Sequence, residues 1–403
     1  MKLLVRPLPY IDESLESYLL RLCQENFYGQ LGALLASIVH TYPKLNRIFE
    51  GAIPSDLRSI NVCFANQSSD RRYRAIIELS NLANVSLSSI QNLIVFRSQQ
   101  LFSSKHQAVI HQGVLVPRLF IRESNIPVCI DCFRSKKYVR KIWHYLPYDI
   151  CHIHKKALTY RCPQCGSFLD YRKSFSVSLC ECGFDLLESQ ESKVVSNEFL
   201  VMSTMVAGGE GELPTIFRDK TISQRFGALL WWHLEKNSED IDNIFNGFID
   251  YFNDWPLSLT NDLNQRLKYA ELCAVTVPEQ RKFSDAFGSL LKNSFRLPSS
   301  NFDGNFILRE VVHWIYVALN SSDKLNISLL KLNLIEASIL LNTTTKQVVR
   351  LIDFGSLKTI VRLGLGESIP LYSPILRLGD VFEQWVCGFQ TEHSNLNQFL
   401  SKW

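Results

Sequence analysis

Apolar residues recur at helical spacing through the first hundred positions of the chain. After Pro7 and Pro9, the residues Leu15, Tyr18, Leu19 and Leu22 share one face, which predicts an amphipathic helix with Asp12 as its N-cap. The same spacing predicts helices over 31–39, 72–83 and 88–97, separated by a loop-like stretch, "GAIPSDLRSINVCFANQSSD", dense in Pro, Ser, Asn and Asp. The pattern fades between 125 and 190. It returns with helices expected over 223–235, 241–253 ending at Trp255-Pro256, 278–294 and 303–319. Trp231, Trp232, Phe248, Phe252 and Trp314 sit at helical spacing and read as core.

Near the carboxyl terminus, "LNLIEASILLNTTTKQVVRLIDFGSLKTIVRLG" has a short helix, a polar Asn-Thr turn and a second helix over about 345–354. That helix is closed by Gly355, and a β-prone "LKTIV" follows. This is the pattern of a winged helix-turn-helix. If the unit read DNA, Lys346, Gln347 and Arg350 would face the groove while Val348, Val349 and Ile352 packed inward. The fold class is therefore mainly α: a multi-domain helical protein with a central cysteine module and a C-terminal winged helix-turn-helix-like unit. The expected division is 1–124 (helical), 125–190 (cysteine module), 191–323 (helical) and 324–403 (helix-turn-helix-like).

Cysteine placement gives the central module its chemistry. Seven of the eleven cysteines lie between 129 and 182, and such clustering points to metal rather than disulfides. The candidate ligands form four pairs, Cys129/Cys132, Cys151/His154, Cys162/Cys165 and Cys180/Cys182. A tight turn converges two ligands, and tetrahedral zinc needs two such turns, so four pairs make two sites. Joining consecutive pairs closes the shortest loops and assigns Cys129, Cys132, Cys151 and His154 to one zinc. Cys162, Cys165, Cys180 and Cys182 then hold the other; an interleaved pairing is the alternative. His152 competes with His154 but adjoins Cys151, and His144 reads as a core histidine. Four protein ligands leave no open position for an activated water, so both ions would be structural. A segment without apolar periodicity would depend on them for its fold. The competing readings are a redox Cys-x-x-Cys pair and unligated core thiols.

Charge adds little that is global. With 46% hydrophobic and 20% charged residues the chain reads as globular, and its net charge of +4 does not demand a polyanionic partner. Apolar stretches such as 31–39 and 327–341 are too short to span a bilayer. Arg6, Asp12 and Glu13 interrupt any secretory leader, so a cytoplasmic protein is expected. The basic run "RSKKYVRK" offers Lys136, Lys137, Arg140 and Lys141 as phosphate contacts, with a solvated face as the plain alternative. Residues 129–182 hold ten Lys and Arg against four Asp and Glu. Seven thiolates and two zinc ions would bring that excess to about +3. Residues 325–403 hold seven basic against six acidic residues, an unusual balance for a reader of DNA and one that suits a protein-binding or self-association surface. No His-Glu-x-x-His, Gly-rich phosphate loop or nucleophile elbow occurs, so no enzyme is expected and no catalytic residue is assigned.

The opening "RPLPYIDESLESYLLRL", the cysteine order in "CIDC", "IWHYLPYDICHIHKKAL", "CPQCGSFLDY" and "CECGFDL", and the later "FIDYFNDWP" resemble TniQ proteins, the target-selection adaptors of bacterial cut-and-paste transposons. Length and the helix-turn-helix are more similar to the short TniQ of CRISPR-associated transposons than to the longer TnsD branch, which reads an attachment site unaided. The resemblance implies a bacterial homodimer bound to the RNA-guided Cascade complex that recruits the AAA+ ATPase TnsC and meets target DNA through that complex. The family's metal positions coincide with the eight ligands named above.

Overall fold

A computed structural model describes residues 3–41, 52–64, 69–103, 105–189, 197–236, 245–321, 327–361 and 369–390, with the backbone alone at 69, 197 and 386–390. The chain divides into two compact units, 1–100 with 106–213 and 101–105 with 214–403. The expected boundaries at 190/191 and 323/324 lie outside the described residues, as do residues 241–244 of the helix expected over 241–253. Among the described residues, no helix is long and apolar enough to cross a membrane.

In the first unit, α1 (Leu15–Glu25) buries Leu15, Tyr18, Leu19 and Leu22 as the pattern requires. Its N-cap is Ser14, whose side chain accepts the Ser17 N–H, and Asp12 is engaged elsewhere. The helices α2 (Leu31–Thr41) and α3 (Ser69–Ala83) follow the predicted periodicity. The helix expected over 88–97 stops early. After α4 (Leu87–Gln91) the chain turns into β1 (Phe96–Leu101), which joins β2 (Gln107–His111) and β3 (Val114–Pro117) in a three-stranded sheet. The β2–β3 pair is antiparallel, with Val109 opposite Val116. Here a strand pairing overrides local helical spacing: the chain leaves the helix at Asn92 and "FRSQQL", residues 96–101, pairs as a strand.

The cysteine segment is not coreless. Val128, Phe133, Val139, Trp143, Tyr148 and Ile150 are all at most 1% exposed. Its buried residues follow the spacing of short turns, α5 (Ile130–Ser135) and the two-residue strands β4 (Ile150–Cys151) and β5 (Lys156–Ala157), so no helical period is visible. The unit closes with α6 (Asn197–Val206).

The second unit is built around α7 (Ile222–Lys236), which is buried along most of its length. Its Trp231 donates to Ser294 Oγ at 3.0 Å and packs with Tyr251, Phe252 and Trp255. The expected core aromatics Trp231, Trp232, Phe248, Phe252 and Trp314 are all buried. After α8 (Phe248–Asn253) comes a helix absent from the sequence expectations, α9 (Leu257–Leu272), which buries Leu259, Leu263 and Leu267 at i, i+4 and i+8. The span 278–294 is split into α10 (Phe283–Phe287) and α11 (Leu290–Ser294) at Gly288, and α12 (Phe306–Asn320) is capped by Asn305.

The carboxyl-terminal pair is α13 (Leu334–Leu340) and α14 (Thr345–Asp353), followed by Gly355 at φ 73°, the left-handed stop that glycine adopts without strain. "LKTIV" forms no strand among the described residues. The local β pairing is instead β6 (Lys331–Leu332) with β7 (Leu376–Arg377), leading into α15 (Leu378–Gln390).

Gly227 in α7 lies where a Cβ would stand 2.6 Å from the Leu297 carbonyl oxygen. Gly227→Ala is therefore expected to destabilise the second unit by about 1–3 kcal/mol through overpacking. The measurement is the urea midpoint, and an unchanged midpoint would show that Leu297 yields without cost.

Candidate metal centres

Each ligand pair sits on a turn that its own backbone closes. Cys129 caps α5 and Cys132 lies in its first turn. Cys151 ends β4, and the turn back to β5 is closed by the Lys155 N–H on Cys151 O at 2.7 Å, with Lys155 at φ 56°. In the other two turns Gly166 and Gly183, at φ 71° and 89°, donate back to Cys162 O and Cys180 O, both at 2.9 Å. Positive φ at these points lets the chain reverse within a few residues and turn both ligands of the pair to the same side.

The structure brings the eight residues together as two clusters, Cys129/Cys132/Cys151/His154 and Cys162/Cys165/Cys180/Cys182, with ligand atoms in each within 4.8 Å of one another. Consecutive pairs combine, and the interleaved arrangement does not occur. Tetrahedral zinc, with Zn–S about 2.3 Å and Zn–N about 2.05 Å, separates sulfurs by about 3.8 Å and sulfur from nitrogen by about 3.6 Å. In the first cluster Cys132 and Cys151 Sγ are 3.6 Å apart, and His154 Nδ1 is 3.5, 3.4 and 3.5 Å from Cys129, Cys132 and Cys151. In the second, Cys162–Cys182 and Cys165–Cys180 are 3.8 and 3.7 Å. All eight positions fit a tetrahedral ion, and the sulfurs are far outside disulfide distance. His152 is turned away, its Nδ1 2.7 Å from the Tyr148 hydroxyl, and His144 Nε2 is 3.0 Å from the Tyr171 hydroxyl.

The basic run has a different placement from a solvated strip. Lys136 and Lys137 are exposed, and Lys136 lies 5.3 Å over the Tyr10 ring. Arg140 is half-buried and ion-paired with Asp12. Against the burial that would lower it, Asp12 and the nearby Cys132 sulfur hold the Arg140 pKa up. Lys141 is 2% exposed, with its amine on the Asn92 carbonyl and 2.6 Å from His111 Nε2. Burial pushes Lys141 down to about 7, and burial with the Lys141 charge pushes His111 down to about 2. Arg140 and Lys141 are thus parts of the fold rather than phosphate contacts.

Sequence reasoning did not single out the residues that dock this run. Segment 12–17 lies antiparallel to 138–141: Ser14 N–H donates to Val139 O (3.0 Å), Val139 N–H to Ser17 Oγ (2.9 Å), and Lys141 N–H to Asp12 O (2.8 Å). Glu13 is fully buried. Its two oxygens accept from Arg21 Nε and Nη2 at 2.8 Å each, from Ser17 Oγ at 2.9 Å and from the Tyr10 N–H at 3.1 Å. The available signal was spacing, because Glu13, just before the N-cap of α1, stands four residues from Ser17 and eight from Arg21, which lie on a helix whose neighbouring face is apolar. Arg122 ties down the next stretch, donating to the carbonyls of Tyr145 and Leu146, to Asp149 and to the Tyr160 hydroxyl.

In the second unit Lys346 and Arg350 are exposed on α14, while Val348 is buried and Val349 and Ile352 are half-buried. Gln347 is spent on its own helix: Oε1 accepts the Thr344 N–H at 3.1 Å and the Thr343 hydroxyl, completing a capping box.

Two zinc ions per purified chain are expected, and Cys162→Ser is expected to leave one, as read by elemental analysis. Lys141 yields a pH prediction. Its folded pKa lies below the unfolded value, so between about pH 7 and 10 the unfolded chain binds the extra proton and stability rises with pH. Lys141→Met removes that slope, so the stability of the variant relative to the parent should fall steadily from pH 7 to 10 in chemical denaturation. A difference that stays flat would place a charged amine in the fold.

The model of the TniQ family matches residues 4–158, which span the amino-terminal docking segment and all four ligands of the first cluster. No curated protein matches the chain. Residues 4–158 are therefore a TniQ domain.

Proposed function

We propose that this chain is a non-enzymatic adaptor of transposition whose two clusters each hold one structural zinc. The TniQ domain makes it a transposition-associated targeting protein. In the finer reading it works as a homodimer that links an RNA-guided Cascade complex to the AAA+ regulator TnsC, so that base pairing by the guide supplies target sequence and the adaptor supplies attachment. The metals would provide rigidity. Closed four-ligand sets have no position for substrate or water, and they fix the turns that carry residues 129–182.

One observation carries the choice of adaptor over autonomous reader: Gln347, the residue of α14 best suited to read an adenine edge, is turned back onto Thr343 and Thr344. Together with the near balance of charge over 325–403, this favours a helix-turn-helix that binds protein. The competing reading, a target selector of the TnsD type, draws on Lys346 and Arg350, which are exposed one helical turn apart.

The test is co-expression with Cascade, guide RNA and TnsC, with affinity capture of this chain. Co-purification of Cascade is expected. The isolated protein is expected to bind duplex DNA weakly, without sequence preference and less as salt rises. Charge reversal at Lys346 and Arg350 should leave zinc content intact and act on dimerisation or partner capture. Tight site-specific binding by the isolated chain would replace the adaptor reading with the selector.

A further inference from the structure

The two clusters meet solvent differently. In the first, Cys129, Cys132 and Cys151 are buried and His154 is half-buried. In the second, Cys162 and Cys180 are 2% and 7% exposed, whereas Cys165 and Cys182 stand in solvent. Zinc with three thiolates and an imidazole carries one net negative charge, and zinc with four thiolates carries two. The more electron-rich set is therefore the one whose sulfurs are open to attack. The first set also has the Arg140 guanidinium beside Cys132. Around the second, Lys173 is paired with Glu181 at 3.4 Å and Arg161 lies 3.8 Å over the Phe168 ring.

The arrangement also provides a resolving partner. Cys165 Sγ is 3.7 Å from Cys180 Sγ and Cys182 Sγ is 3.8 Å from Cys162 Sγ, so each exposed sulfur faces a buried one on the opposite turn. Each turn keeps its own backbone closure, Cys162 N–H on Ser167 O and Cys180 N–H on Phe184 O, both at 2.9 Å. The chain between them is anchored apart from the metal by the buried Asp170–Arg172 pair at 2.7 Å and by Tyr171, whose hydroxyl is 2.7 Å from Ser14 Oγ.

We propose that the second centre is an oxidation site: a hydroperoxide converts one exposed and one facing cysteine into a disulfide between the two turns and releases the metal, while the first centre stays reduced and loaded. The inference rests on the reading that each cluster holds zinc. In the first step the exposed thiolate of Cys165 or Cys182 attacks the peroxide, forming an S–O bond and breaking O–O with loss of hydroxide. The facing thiolate, Cys180 or Cys162, then attacks that sulfur, forming S–S and expelling a second hydroxide. Two thiolates lose two electrons in all, hydrogen peroxide is reduced to two hydroxides, and a zinc left with two ligands dissociates. The hydrogen bonds at Tyr171 and Arg172 confine the change to the outer turns.

The test uses the full chain with its zinc content measured first, then treated with excess hydrogen peroxide in the presence of a chromogenic zinc chelator, with parallel peptide mass mapping. Expected is release of one of two ions and one disulfide, either Cys165–Cys180 or Cys162–Cys182. Cys129, Cys132 and Cys151 should remain alkylatable after metal removal, and thiol reductant plus zinc should restore the second ion. In a chain that starts with two ions, joint release of both, oxidation at the first cluster, or retention of both overturns the inference and leaves the zinc reading standing. A chain that starts with fewer than two overturns both.

Discussion

A fully buried carboxylate has to have its oxygens filled by donors, and Glu13 meets that demand with Arg21, Ser17 and the Tyr10 backbone. The consequence reaches well beyond one ion pair. Filling Glu13 fixes the start of α1, leaves Ser17 Oγ free to accept from Val139, and lays 12–17 along 138–141. That run leaves the first ligand turn through Lys136, so the amino-terminal helix and the first Cys/His cluster share one backbone ladder. The signature segment "IDESLES" is thus a clamp on the metal module.

The cysteine segment draws on two sources of order. Around the first cluster, thiols and apolar side chains are buried together, with Phe133 packed edge-on to Trp143 at 5.5 Å. Around the second, half the ligands face solvent. There polar interactions add to the buried Leu169, Val177 and Leu186, with Tyr171 between Ser14 and His144 and Arg172 against Asp170. One centre is embedded in a core, and the other fastens two turns at its edge. Such a division suits an adaptor in which one part must stay rigid while an outer surface meets partners.

The same economy shows in the α13–α14 pair. A capping box at Thr344 and Gln347 stabilises the start of α14, and a second at Asn333 and Glu336 does so for α13. On α14, the second helix of the pair, the cap consumes Gln347, a polar side chain that a DNA reader would otherwise present to bases. The proposed attachment role follows from that expenditure as much as from the balance of charge.

What the sequence determined alone was short-range. Two ligands two or three residues apart converge because a tight turn forces them to, so the eight metal-type residues and their division into two sets were legible without a fold. Helices such as α1, α3, α7 and α12 were legible because their apolar faces repeat within a few residues. The helix α9 was missed although Leu259, Leu263 and Leu267 mark it, because Thr, Asn and Gln between them mute the contrast of its faces. The β1–β3 sheet was missed because strand pairing, not local period, decided the state of 96–101. Tertiary structure alone decided that Asp12 is no N-cap, that Arg140 is half-buried against Asp12 and that Lys141 faces inward, whereas the fold of Gln347 onto its cap is local, a Thr-x-x-Gln capping box. For Arg140 and Lys141 the physical reason is separation along the chain. They lie more than a hundred residues from Asp12, and whether a cation faces solvent or a partner depends on which distant segment folds against it.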